Sequence, residues 1–164
     1  MDKPIITHFT NKQVAEIAGM KGKTITYYSN RGLINPSVSP GAGRGGNRLY
    51  SAGDILKFIL VPVLSDHGLN LEKIEKVFEC VKRDLFGPSN PHLYHGLPYS
   101  RAILTIFNVA GDITANVMFP PDPAGIEHPE RKEQFEKNLN VPADMLRNES
   151  ILIIDITDCI NRLA

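Results

Sequence analysis

Cysteine is scarce in this chain: Cys80 and Cys159 are the only two in 164 residues. They lie far apart, with no second Cys or His at metal-ligand spacing. That argues against a disulfide framework and a zinc motif, and it favours a reducing, cytoplasmic setting. Long apolar runs are also missing. FILVPVL, from Phe58 to Leu64, falls far short of the roughly 20 residues that span a bilayer. The opening MDKPIITHFT is too short and too polar for a secretory leader. No phosphate loop, nucleophile–base pattern or metal-ligand motif occurs, so neither catalysis nor a cofactor or metal is expected. His92 and His95 share a loop and read as packing residues. Asp155 and Thr157 read as caps at a helix start rather than as catalytic groups. Internal repeats and sustained heptads are absent.

Net charge is missing too, with 18 Lys/Arg against 18 Asp/Glu. The zero conceals an asymmetry. Residues 1–84 hold 12 basic and 8 acidic side chains, a formal +4, and residues 85–164 hold 6 and 10, a formal −4. A basic half joined to an acidic half suggests two modules, the first compatible with a polyanionic partner. A hydrophobic share of 42% supplies a core, but half of this length alone is marginal, so dimerisation would help.

What is present begins with two short helical patterns. In KQVAEIAG, Val14, Ile17 and Ala18 share one face, Thr10 or Asn11 can cap, and Gly19 ends the helix. After a tight turn, roughly Lys23 to Asn30 forms a second helix that stops at Gly32. Two such helices imply a helix-turn-helix, whose second helix can enter a major groove. Residues 33–50 are rich in Gly, Pro, Ser and Asn. Extended pieces near Leu33-Ile34 and Arg48-Leu49-Tyr50 bracket them, the pattern of a wing. Ser51 with Asp54 makes a weak capping box for AGDILKFILVPVLSDHG, which Pro62 should kink or divide. Asn70 caps LEKIEKVFECVKRDL, read as one amphipathic helix to Leu85. GPSNPHLYHGLP is a boundary. AILTIFNV and DITANVMF form a hairpin around Ala110-Gly111, PPDPAGIEHP is a loop and ERKEQFEKNL a short charged helix. SILIIDIT is a further strand and TDCINRLA a terminal helix. The simplest arrangement of the second half is a three-stranded antiparallel sheet.

The ordered fragments VAEIAG, T-x-x-Y-Y (Thr24, Tyr27, Tyr28), RGLI-x-P (Arg31 to Pro36), R-L-Y-S (Arg48 to Ser51) and GLNLEKI (Gly68 to Ile74) resemble the winged helix-turn-helix of the MerR family of bacterial transcription regulators. The resemblance covers about half of the chain and implies a homodimer on pseudo-palindromic promoter DNA. The family commonly has an arginine where this chain has Thr26, so the contact there is shorter and uncharged. The family's long dimerisation helix is interrupted here by GPSNP.

The expected fold is α+β: an N-terminal winged helix-turn-helix (1–85), a linker (86–98) and a small antiparallel-sheet module for dimerisation or an effector (99–164). The expected DNA-binding residues are Lys21, Lys23, Thr24, Thr26, Tyr27 and Arg31 at the second helix, with Arg44, Asn47 and Arg48 in the wing. Tyr28, Leu49 and Tyr50 are expected to support the wing, Leu49 as core. The expected partners are double-stranded DNA, a second copy of the chain, and an effector or protein at the C-terminal module. Location in the cytoplasm, on the nucleoid when DNA-bound, follows, with no membrane role. The competing functions are a DNA-architectural or recombination accessory protein and a protein-interaction module that has lost DNA binding.

Overall fold

The structure is a computed structural model. It describes residues 8–41, 47–87, 102–109, 112–119 and 150–163. Several expected features lie outside that set: Arg44, the linker from residue 88 with His92 and His95, the turn at Ala110-Gly111, the loop 120–129 and the charged helix 130–139.

Helix α1 (Asn11–Ala18) starts in a capping box. The Thr10 hydroxyl accepts from the Gln13 amide, and the Gln13 side chain accepts from the Thr10 amide at 2.9 Å. Helices α2 (Gly22–Asn30) and α3 (Ala52–Asp66) follow, and α1, α2 and α3 all end in one device. Gly19, Gly32 and Gly68 sit at φ 65°, 76° and 84°. The next residue then turns its amide back: Met20 to the Ala15 carbonyl at 2.9 Å, Leu33 to Tyr28 at 3.1 Å and Leu69 to Leu64 at 3.1 Å. The left-handed backbone that glycine tolerates closes each helix without a long loop. Helices α1 and α2 therefore pack side by side, with Val14, Ala18 and Ile25 buried between them and α3.

Strand β1 (Phe9–Thr10) pairs antiparallel with β2 (Leu49–Tyr50), and Ser39 bridges to Leu49. This corrects the expected wing pairing. The returning arm meets the start of the domain and Ser39, whereas Ile34 is wholly buried as a core residue. Leu49 is half-buried rather than core, because its backbone is shared between two partners at the domain edge. Helix α3 is not divided by Pro62. The proline is exposed, so its missing amide faces water and the helix runs on to Asp66.

Asn70 caps α4, which ends at Cys80 (Leu71–Cys80) rather than at Leu85. Beyond Val81 the chain makes a π-helical turn, Lys82–Phe86. Leu85 and Phe86 are adjacent and both buried, and the wider turn places both in the core, which one stripe of a regular helix does poorly.

Strands β3 (Ile103–Val109), β4 (Asp112–Met118) and β5 (Ser150–Asp155) form the expected three-stranded antiparallel sheet, in the order β4-β3-β5. Helix α5 (Thr157–Asn161) follows. The Thr157 amide donates to the Asp155 carboxylate at 3.0 Å, and the Ala102 amide to the Thr157 hydroxyl at 2.8 Å, tying the helix start to β3. Leu104, Ile106, Ala115, Val117 and Ile154 lie buried on one face of the sheet, α4 packs on β4, and α5 packs on α3. A single apolar cluster thus runs from Val14 to Ile160.

The two cysteines have different fates. Cys80 is exposed and Cys159 is buried. Burial pushes the Cys159 thiol above its usual range, against the opposing pull of Arg162. In folded protein a thiol-specific disulfide reagent is expected to modify Cys80 readily and Cys159 only after unfolding. A raised folded pKa means that the neutral thiol is favoured. Its stabilising contribution is complete below the unfolded thiol value, about 8.5, and declines as pH rises through the raised one. Equal labelling of both thiols before unfolding would contradict this packing.

Candidate nucleic-acid interface

Charge is distributed unevenly along the first fifty residues. From His8 to Tyr50 the chain carries six Lys/Arg and one acid, Glu16. Among the described residues, the side-chain ion pairs all fall between Asp54 and Asp84. The cations of α1, α2 and the wing are therefore not neutralised by a described carboxylate.

Two of them are nevertheless held in place. The Arg31 guanidinium donates to the Tyr27 hydroxyl at 2.7 Å and lies 5.5 Å from its ring centroid. Arg48 donates to the Asn30 side-chain carbonyl at 2.7 Å. Both acceptors are neutral, so they orient each charge without cancelling it. An arginine fixed in this way loses less freedom when it binds a phosphate. Tyr27 itself is 48% exposed, an unusual place for a tyrosine ring unless it meets something.

The opposite side of α2 is fixed to the core. The Ser29 hydroxyl lies 3.0 Å from the Tyr50 hydroxyl in a buried pair, and the Tyr50 ring meets Phe58 edge-on at 5.6 Å. Tyr50 thereby locks β2, and with it the neighbouring Arg48, against α2. Tyr28 is half-buried, with its ring against the edge of Tyr27 at 5.4 Å.

The outgoing arm of the wing is pinned by Asp54, which is 2% exposed. One of its carboxylate oxygens accepts from the Ser37 amide at 2.9 Å, the Ser37 hydroxyl at 2.6 Å and the Ser51 amide at 3.0 Å. Lys57 sits 3.6 Å from the other. The capping carboxylate of α3 is thus also the anchor of the wing stem.

Two clefts open between these parts. The first, about 510 Å³, lies among Asn11, Lys12, Thr26, Pro40, Asn47 and Arg48. The second, about 590 Å³ and shallower, is bordered by Lys12, Ala15, Gly22 and Lys23. Thr26 separates them. Its hydroxyl donates to the Gly22 carbonyl at 3.0 Å and accepts from the Asn11 amide group at 3.2 Å. Its hydrogen-bonding capacity is thus largely spent on holding α1 to α2.

Of the expected contact residues, Thr26, Asn47 and Arg48 share the first cleft, Lys23 and Thr26 share the second, and Tyr27 and Arg31 form a pair. Lys21 is exposed at the cap position of α2, and Thr24 is half-buried. Asn11 and Lys12 were missed, because T-N-K reads first as a helix start. The usable signal was a lysine next to the cap in a segment with one acid.

Residues 9–80 match the family described as MerR HTH family regulatory protein. An uncharacterized HTH-type transcriptional regulator of Mycobacterium tuberculosis is 35% identical over 75 residues, 46% of this chain and 33% of that one. The HTH-type transcriptional activator mta of Bacillus subtilis is 35% identical over 68 residues, 42% of this chain and 25% of that one. The chain thus spans a quarter to a third of the length of these relatives. Among solved structures, a MerR-family transcriptional regulator from Bacillus cereus aligns with a TM-score of 0.38 at 21% identity, covering 44% of this chain and 52% of that one.

Proposed function

With residues 9–80 a MerR-family helix-turn-helix domain, we propose that this chain is a sequence-specific DNA-binding transcription regulator, working as a cytoplasmic homodimer on pseudo-palindromic promoter DNA. The observation that carries this reading is the pair of arginines, Arg31 and Arg48, held by neutral acceptors on a face without carboxylates. An arginine placed for a structural ion pair meets an acid, whereas one placed for an incoming phosphate is oriented and left charged. In this reading α2 lies in the major groove, with Lys23, Thr24 and Tyr27 toward the duplex. Arg31 and Arg48 take backbone phosphates on either side, and these contacts set register rather than read sequence. Two copies related by a two-fold axis would engage half-sites about 34 Å apart. The C-terminal sheet is the module left to join the copies or receive an effector.

Fluorescence anisotropy with a labelled duplex of random sequence tests the electrostatic part. Log affinity is expected to fall linearly with log salt. Arg48→Gln is expected to flatten that slope by about 0.9 and to weaken binding at 0.1 M salt by about eightfold, the loss of one phosphate contact. Sedimentation of the free protein tests the dimer, and recovery of bound genomic fragments tests the half-site spacing. If the intact chain fails to bind duplex even at low salt, the reading is wrong.

A further inference from the structure

The two clefts beside α2 meet at a single cation. Lys12 borders both, is exposed, and among the described residues makes no ion pair. Arg48 lies in the first cleft and Lys23 in the second, so three positive side chains follow one trough across α1, α2 and the wing. The Asn11–Thr26 hydrogen bond of 3.2 Å ties the start of α1 to α2, so Lys12 is carried on a rigid unit with the second helix. The amides at the start of α1 are occupied by the Thr10–Gln13 capping box, so side chains rather than the helix end form this surface.

We propose that Lys12 is a phosphate-binding residue, which holds the DNA backbone between the phosphates taken by Lys23 and Arg48 and so extends the footprint onto α1. The occupant fits the chemistry. A DNA strand presents regularly spaced anions, and a trough with spaced cations and no carboxylate matches a polyanion better than it matches a single small anion. Thr26 contributes by position. Its short side chain, bonded to Asn11 and Gly22, keeps the ridge between the clefts low, so one strand can lie across both.

This inference rests on the DNA-binding reading, and one experiment separates the two. The full chain, Lys12→Gln, Lys12→Arg and the reference variant Arg48→Gln are titrated against a labelled random-sequence duplex over a series of salt concentrations. Lys12→Gln keeps length and helix propensity and sits in solvent, so a thermal melt should match that of the parent. The expected result is a salt slope smaller by about 0.9, affinity weaker by about eightfold at 0.1 M salt, and recovery of both in Lys12→Arg. If Lys12→Gln keeps the parental slope while Arg48→Gln loses it, α1 is outside the footprint and the inference fails while the DNA reading stands. If the parent shows no salt-dependent binding, both fail together.

Discussion

Replacing Asp54 by alanine is expected to lower the unfolding free energy by about 3 kcal/mol. The carboxylate is 2% exposed and satisfies the Ser37 amide, the Ser37 hydroxyl and the Ser51 amide. Its removal takes away half of the α3 capping box, worth about 1 kcal/mol. It also leaves two amide donors and a hydroxyl without this acceptor, each costing up to 1–3 kcal/mol where water cannot replace it, roughly. Water reaches Ser37 and Ser51 in part, which is why the total stays near 3 kcal/mol rather than the arithmetic maximum. Lys57, at 3.6 Å, would also lose its counter-charge. Urea denaturation measures the loss, and hydrogen exchange at Ser37 should rise along with it, because the wing stem is released. A change below about 0.5 kcal/mol, typical of a surface substitution, would contradict the anchoring role.

Gly53→Ala is the second large effect, and here two terms oppose each other. Alanine is favoured over glycine in a helix by about 1 kcal/mol. Against that, a Cβ at this site would lie 2.6 Å from the Phe86 carbonyl oxygen and 3.3 Å from the Phe86 Cβ. The obstacle is backbone, so it cannot rotate away. Phe86 must move, and its edge contacts with Phe78 at 5.3 Å and with Lys57 at 5.2 Å move with it. Overpacking of this kind costs about 1–3 kcal/mol, so a net loss of about 2 kcal/mol is expected. Gly22→Ala supplies the contrast. Its Cβ would lie 3.7 Å from Asn11 Oδ1, an ordinary contact, so the substitution should be neutral or stabilising by up to about 1 kcal/mol. If both variants melt at the parental temperature, the π-helical turn does not press on α3 as described.

Much of this molecule was legible from residue types. Thr10, Ser51 and Asn70 cap the helices that follow them, and Gly19, Gly32 and Gly68 stop the helices that precede them. Such signals act within four or five residues, so neighbouring sequence is enough to state them. The alternating strands of the second half, and their antiparallel sheet, were readable for the same reason. Less legible were the pairing of the wing's return arm with Phe9–Thr10, the break of α4 at Cys80 and the half-burial of Leu49. Each depends on what lies across the fold. Periodicity says which face is apolar but not what covers it.

The candidate site divides along the same line. Its basic character, its second helix and Arg48 at the wing were apparent in the sequence, because a local excess of Lys and Arg with one acid needs no structure to be noticed. Tertiary structure alone decided that Arg31 and Arg48 rest on neutral acceptors, and that Thr26 is spent on Asn11 and Gly22. It also decided that Lys12 joins two clefts and that one buried carboxylate, Asp54, holds the wing stem. The physical reason is range. Caps, stops and charge density depend on near neighbours along the chain. A hydrogen bond between residues fifteen or more apart exists only after the core has brought its two ends within 3 Å or so.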